Sequence, residues 1–105
     1  AVGILFAPDD AHIAKMGICV ERKAAWGFGT MHFLSRRSYD YASADLSNSV
    51  MAITSEGKVG IGTTVPSSKL QVVGLAEYAD NAAAVAAGLT VGAFYRTGDL
   101  LKVVH

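Results

Sequence analysis

Glycine alternates with branched apolar residues in the middle of the chain, and this pattern limits what the chain can fold into. In residues 57–72, GKVGIGTTVPSSKLQV, Val59 and Ile61 alternate with Gly60 and Gly62. A strand of this kind has one apolar face and one nearly bare face, and its glycines cost backbone entropy without adding packing surface. Such a strand suits a place where another backbone comes very close. We therefore expect it near the axis of an intertwined oligomer.

The composition favours an oligomer as well. The 105 residues suffice for one domain or for two very small modules in tandem, and 51% of them are hydrophobic. In so small a body, the surplus apolar side chains must either lie in a subunit interface or form patches that aggregate. We expect an interface.

Charge and cysteine content exclude several classes of function. Nine basic residues balance nine acidic ones, and the basic residues form only short pairs, so nucleic-acid binding is not expected. No apolar stretch approaches the roughly 20 residues that span a bilayer, so membrane insertion is not expected either. The single cysteine, Cys19, excludes an intrachain disulfide and a zinc quartet, and we expect it to be a buried thiol. The strand-like start at Ala1 suggests a piece of a longer protein.

The pattern along the chain predicts short strands separated by turns. Polar residues from Arg36 to Ser49 predict a loop, Pro8 to Asp10 predict a turn, and Gly74 marks a module boundary. The predicted strands are residues 2–7, 12–22, 28–35, 50–54, 58–61 and 69–73.

The last thirty residues change character. Asp80 or Asn81 is a suitable N-cap for a helix over residues 82–87, and Gly88 is a suitable residue after its end. A hairpin follows, with strands at residues 93–96 and 100–104. A helix of two turns and a single hairpin are both marginal alone, so we expect copies from several chains to share one core.

Two segments resemble parts of viral and bacteriophage fibre proteins. Residues 51–74, MAITSEGKVGIGTTVPSSKLQVVG, resemble a segment that lies in intertwined trimeric β-structure in those proteins. Residues 77–105, EYADNAAAVAAGLTVGAFYRTGDLLKVVH, resemble a short terminal module of related viral sequences. The hairpin within it, GAFYRTGDLLKVV, is similar in layout to the fibritin foldon, a trimer-forming hairpin. Residues 1–50 resemble more loosely the β-rich portion that precedes the glycine-rich segment.

The resemblance implies a mostly β fold, an intertwined homotrimeric β-fibre segment like a triple-stranded β-helix or β-prism, with a short helix and a terminal β-hairpin. It implies a shaft or head segment at residues 1–74 and a trimerisation module at residues 75–105 that sets the register of three chains. It places the protein on a virion surface appendage, extracellular when functional. The Ala82–Ala87 helix would give a smooth face for contact between copies. The predicted trimer-interface residues are Val59, Ile61, Leu70, Val72, Phe94, Leu100 and Val103.

Catalytic and cofactor chemistry finds little support in the sequence. Asp9 and Asp10 belong to an ordinary turn, no Gly-x-Ser-x-Gly elbow occurs, and Gly60 and Gly62 are followed by no helix. The histidines have no chelating spacing, although a threefold axis could bring three copies of His32 together. We expect neither an enzyme nor a cofactor.

Binding of a host-cell receptor or a glycan is the competing hypothesis. Aromatic rings stack on sugars and anchor protein interfaces, and Arg side chains direct hydrogen bonds. The alternative interpretation is a solvated loop whose tyrosines lie over the β-core. The candidate contact residues are Trp26, Arg36, Arg37, Tyr39 and Tyr41.

Overall fold

The chain folds as two units, Ala1–Val73 and Gly74–His105, each with its own β-sheet. The computed structural model describes residues 2–7 and 13–105. Strands predominate, so the chain is mostly β, as expected. The turn predicted at residues 8–10 lies outside the described residues, as does His12.

The first unit is a six-stranded sheet whose strands follow one another in chain order. Neighbours are antiparallel from β1 through β5, whereas β6 runs parallel to β5. Backbone hydrogen bonds from Val59 N–H to the Lys69 carbonyl and from Val73 N–H to the Ile61 carbonyl extend this last pairing, each at 2.9 Å. The strands are β1 Val2–Phe6, β2 Met16–Arg22, β3 Gly29–Ser35, β4 Ser49–Thr54, β5 Val59–Ile61 and β6 Leu70–Val72.

Strand β2 starts at Met16, later than the sequence pattern suggested. The preceding residues bond to the loop after β3 instead: Ala14 N–H donates to Ser43 Oγ at 3.0 Å, and the Ala14 carbonyl accepts from Ala44 N–H at 2.6 Å. This loop, predicted from its polar composition, ends in a 3₁₀ turn at Leu46–Asn48 that Asp45 caps. The loop thus lies against one face of the sheet.

The first unit's own core lies under that loop. Cys19 and Leu34 point from neighbouring strands toward Ala44, and all three are buried, with Leu46 packed against them. The buried thiol is as expected. His32 and Thr30 are buried on the same face, which we call the inner sheet face.

The two glycines of the central segment make room within the chain itself. A Cβ on Gly60 would lie 2.4 Å from the backbone oxygen of Thr63, and one on Gly62 would lie 2.5 Å from the backbone oxygen of Val73. Gly62 also has a φ of +79°. The expectation that these glycines admit another subunit's backbone is therefore wrong for the space above them, because Thr63 of the crossover and Val73 after β6 fill it.

The second unit combines a short helix and a hairpin. Its elements are α1 Asn81–Ala86, β7 Phe94–Thr97 and β8 Leu100–Val103. The Asp80 carboxylate accepts a hydrogen bond from Ala83 N–H at 2.8 Å and so caps the helix, as the sequence predicted. A two-residue turn at Gly98 and Asp99 joins the strands. Its positive φ falls only on Gly98, which matches a type II′ turn.

The core of the second unit is formed within one chain. Ala84 of the helix is buried against Tyr95 and Val104 of the hairpin. The Tyr78 ring lies 6.1 Å from the Tyr95 ring in a tilted arrangement, and Leu89 and Ala93 pack around them. The helix therefore uses its small-residue position, Ala84, to contact its own hairpin, which the sequence analysis had not anticipated.

Candidate functional site

One face of the six-stranded sheet, which we call the outer sheet face, carries two continuous rows of apolar side chains. The strand register sets these rows, because residues directly opposite each other in neighbouring strands share a face. One row consists of Val20, Met31, Ile53, Val59 and Leu70, and the other of Ile4, Ile18, Phe33, Met51, Ile61 and Val72; Phe6 and Met16 form a further apolar pair on the same face, next to Ser35.

The residues that the structure describes leave the outer sheet face uncovered. Every side chain in the two rows is exposed or half-buried, and neither row contains a charged residue. At about 4.8 Å between strands, the longer row extends roughly 24 Å across the sheet and the shorter one roughly 19 Å. Antiparallel sheets with one solvated face normally alternate apolar and polar residues, so this face has the composition of a buried surface.

Four of the predicted interface residues lie together on the outer sheet face: Val59 and Ile61 on β5, and Leu70 and Val72 on β6. The sequence analysis missed the contribution of the first four strands to the same surface. The alternation of side chains along β2 and β3 indicates which of their residues share a face. Only the cross-strand register shows that this face continues onto β5.

The second unit also leaves one apolar side uncovered. Phe94 pairs with Val103 across the hairpin, Arg96 pairs with Leu101, and the side chains of these pairs point away from the helix. We call Phe94, Leu101 and Val103 the outer hairpin side. Leu100, which the sequence analysis grouped with Phe94 and Val103, lies on the opposite side of the hairpin, because the two-residue turn pairs it with Thr97.

A charged pair borders the outer hairpin side. Arg96 Nη1 lies 3.2 Å from the Glu77 carboxylate, which also accepts a hydrogen bond from Gly98 N–H at 2.9 Å. Tyr78 N–H and the Arg96 carbonyl are joined at 3.0 Å, and Arg96 N–H bonds to the Ala76 carbonyl at 2.9 Å. The segment before the helix thus flanks β7 and covers its open edge.

The structure does not bring the predicted ligand-contact residues together. Trp26 lies in the turn between β2 and β3, and residues 36–41 follow the other end of β3. Strand β3 has seven residues, so roughly 20 Å of strand separates the two groups. Trp26 therefore cannot act with Tyr39 and Tyr41 on one small ligand.

Asp40 organises the loop that carries the tyrosines. Its carboxylate accepts from Lys15 Nζ at 2.7 Å and from Ser38 Oγ at 2.9 Å, and it pairs with the Arg36 guanidinium. Hydrogen bonds from Arg36, then Lys15 and Ser38, hold the pKa of Asp40 far below its usual range. The hydrogen bond between Arg36 and Asp40 also raises the pKa of Arg36. Arg36 is thus engaged within the chain. Arg37 is exposed, as are Tyr39 and Tyr41.

A polar cluster lies on the inner sheet face around His32. Its Nδ1 is 2.8 Å from Ser49 Oγ, and its Nε2 is 3.2 Å from Glu21 Oε1. Hydrogen bonds from Lys23 first, and then from His32, lower the pKa of Glu21. With its proton on Nε2, the neutral ring donates to Glu21 and accepts from Ser49, so both nitrogens are satisfied. Because His32 is buried and bonded on this face, it does not point to an axis facing the outer sheet face.

An open apolar cleft of about 470 Å³ lies on the inner sheet face near Cys19 and Leu34. Its one carboxylate, that of Asp45, already accepts hydrogen bonds from Ser47. In residues 2–7 and 13–105, no group of three His, Cys, Asp or Glu side chains could hold a metal ion. The helices found there are also too short to cross a membrane.

No family model matches the chain, and neither a curated protein nor a solved structure is similar to it at a significant level. The resemblance to viral fibre segments thus rests on the sequence segments that carry it.

Proposed function

We propose that this chain is a structural segment of a homotrimeric fibre, of the kind carried on the surface of virions, and not an enzyme. The outer sheet face carries this proposal. It is an apolar surface six strands wide that no segment within residues 2–7 and 13–105 covers, whereas the loop after β3 packs on the inner sheet face. A second and a third copy of the chain would supply the missing side of this core in an intertwined or prism-like β-assembly.

The size of the outer sheet face supports association energetically. Complete burial of a Val, Leu, Ile, Phe or Met side chain contributes roughly 1.5–3 kcal/mol. The rows contain more than ten such side chains, each already partly buried, so a gain of about 1 kcal/mol each would reach roughly 10 kcal/mol. This gain is similar to the cost of association, which is about 4–15 kcal/mol. Stable association therefore requires that most of the outer sheet face be buried.

The second unit would contribute by setting the register of the chains. Its outer hairpin side offers Phe94, Leu101 and Val103 to other copies, and the Arg96–Glu77 pair at its border is polar and does not need to be buried. Because the hairpin already packs on its own helix, this unit enters the assembly preformed, which lowers the ordering cost of association.

Substitution of Ile61 by Asp tests the proposal. Ile61 is exposed on β5 of the outer sheet face, beside the edge strand β6, so the change costs an isolated chain little but would put a charge into a trimer core. Val65→Asp is the matched control, since Val65 is exposed in the loop before β6. Sedimentation velocity should show loss of the trimer for Ile61→Asp and an intact trimer for Val65→Asp. Equal behaviour of the two variants would contradict the proposal.

A receptor- or glycan-binding role is a second candidate, favoured by the full exposure of Tyr39 and Tyr41 on a loop that Asp40 holds in place. A loop that is already held in place loses less backbone entropy on binding a partner than a free one. The candidate site is this loop without Trp26. Glycan-array binding that disappears in Tyr39→Ala while the oligomer stays intact would support it, and binding unchanged by Tyr39→Ala and Tyr41→Ala would exclude it.

A further inference from the structure

The turn between β2 and β3 presents aromatic side chains directly to solvent. All residues from Arg22 to Phe28, which we call the aromatic tip, are exposed. The turn is closed by two backbone hydrogen bonds to the Phe28 carbonyl, from Lys23 N–H at 2.9 Å and from Ala24 N–H at 3.1 Å. At its end Trp26 is 94% exposed, and Phe28 is 55% exposed. Neither ring contributes to a core cluster of the chain.

The backbone of Trp26 is strained. Its φ of 65° and ψ of 21° lie in the left-handed region, and among the residues that the structure describes no other non-glycine has a positive φ. A bulky residue in that region costs energy, and such strain is commonly found where a side chain must be presented to a partner. Glycine, Asn or Asp at this position would relieve the strain, so a partner that contacts the indole would account for tryptophan there.

The chemistry of the aromatic tip narrows the choice of partner. The tip contains no hydroxyl, amide or carboxylate side chain, so it lacks the acceptors that would bind the hydroxyls of a sugar around a stacked ring. Its charged groups are both cations. Arg22 Nε bonds to the Ala24 carbonyl at 3.2 Å, and Lys23 pairs with Glu21 at 2.8 Å just outside the tip. The tip is thus a small apolar surface with a cationic border.

We propose that the aromatic tip binds the headgroup region of a lipid bilayer that contains anionic lipid. Tryptophan concentrates at the membrane–water interface because its ring is apolar and its indole N–H is polar. Apolar side chains of interfacial segments penetrate roughly 5–10 Å, a depth that a hairpin turn can reach. Arg22 and Lys23 would remain at the level of the phosphates and serines, where lysine and arginine are attracted by the surface potential.

This contact is peripheral and weak for one copy. Two aromatic side chains and two cations give less than a dual lipid anchor, so one tip binds reversibly, and several tips on one particle would bind more tightly. The inference does not depend on the proposed trimer, which would only multiply the contact. Tip binding and chain assembly are therefore tested by separate measurements.

The fluorescence of Trp26 provides a direct test, because Trp26 is the only tryptophan in the chain. The protein is titrated with vesicles of phosphatidylcholine alone and of phosphatidylcholine mixed with phosphatidylserine. We expect a blue shift of the emission with the anionic vesicles, quenching by lipids brominated along the acyl chain, and weaker binding as salt is added. Lys23→Gln should weaken binding about fivefold, since one cation near an anionic surface contributes on that scale.

Co-sedimentation with the anionic vesicles measures how much the aromatic residues contribute to binding. Trp26→Ala and Phe28→Ser should lose most of the bound fraction, whereas Tyr39→Ala, at the other end of β3, should bind like the parent protein. An emission maximum that vesicles leave unchanged would overturn the proposal. So would an emission that is already blue-shifted without lipid and depends on protein concentration, which would assign the tip to contact between copies, and so would glycan binding that needs Trp26 without any vesicle binding.

Discussion

Ile61 and Val72 lie side by side across the parallel strands β5 and β6, on the outer sheet face, where they are 43% and 41% exposed. Their neighbour on the other side, Met51, continues the same row. Three apolar residues in register on an open face are unusual for a surface that faces water alone. These residues illustrate the central proposal, that other copies of the chain complete the outer sheet face.

The buried tyrosine of the second unit should dominate the stability of that unit. Tyr95 is 2% exposed and lies between the helix and Val104, whereas Tyr39 is fully exposed. Removal of a large buried aromatic side chain typically costs about 3–5 kcal/mol, so Tyr95→Ala should lower the free energy of unfolding of the second unit by that amount. Tyr39→Ala should change it by less than about 0.5 kcal/mol. Urea titration followed by tyrosine-sensitive circular dichroism compares them, and equal losses would contradict the assigned core.

Leu100 and Leu101 are adjacent but lie on opposite sides of the terminal hairpin. Both are exposed in the single chain, so Leu100→Asp and Leu101→Asp should leave the folding of one unit almost unchanged. Leu101→Asp should weaken self-association, because it places a charge among Phe94 and Val103. Analytical ultracentrifugation over a dilution series measures the difference. Stronger disruption by Leu100→Asp would mean that the other side of the hairpin is the contact surface.

Gly60 should not tolerate a side chain. A Cβ at this position would meet the Thr63 backbone oxygen at 2.4 Å, and the backbone there must shift to admit it. We expect Gly60→Ala to lower the free energy of unfolding by about 1–3 kcal/mol, as overpacked substitutions do. Because the clash lies within one chain, the loss measured by urea titration should be the same at every protein concentration. A loss that appears only at concentrations where chains assemble would instead place another subunit above Gly60.

The loop around Asp40 should loosen in acid. The pKa of this carboxyl is lower in the folded chain than in the unfolded one, so its contribution to stability is complete well above the unfolded value of about 3.9 and is lost as the pH falls below it. Hydrogen exchange of the Ala42 amide, which donates to Asp40 Oδ1 at 3.1 Å, reports the change. In Asp40→Asn, the Ala42 amide should have little protection from exchange already at neutral pH. Its protection should then not fall further in acid. Protection that persists in the variant would show that other contacts hold the loop.

Local chemistry explains what could be predicted from the sequence. Alternation located β3 and the β4–β5 hairpin to within a residue or two, and the Asp80 cap located the helix, because these features depend on neighbours in the chain. The four interface residues predicted on β5 and β6 share a face for the same reason: a period of two fixes them once the strands exist.

Features set by pairing could not be predicted. Whether Leu100 or Leu101 joins Phe94 depends on the length of one turn, and the start of β2 depends on the bonds of Ala14 to a loop about thirty residues away. The separation of Trp26 from Tyr39 similarly arises because they lie beyond opposite ends of β3. The amino-acid composition of these segments gives no indication of it. The extent of the outer sheet face emerged only from the register of six strands.

The mass of the protein in solution tests the central claim most directly. Light scattering and sedimentation equilibrium are measured over a dilution series at neutral pH. We predict a particle near three times the chain mass of 10.9 kDa, which dissociates at high dilution. A particle of 10.9 kDa that stays monomeric at every concentration and unfolds cooperatively would contradict the account, because the outer sheet face would then be stable in water without a partner.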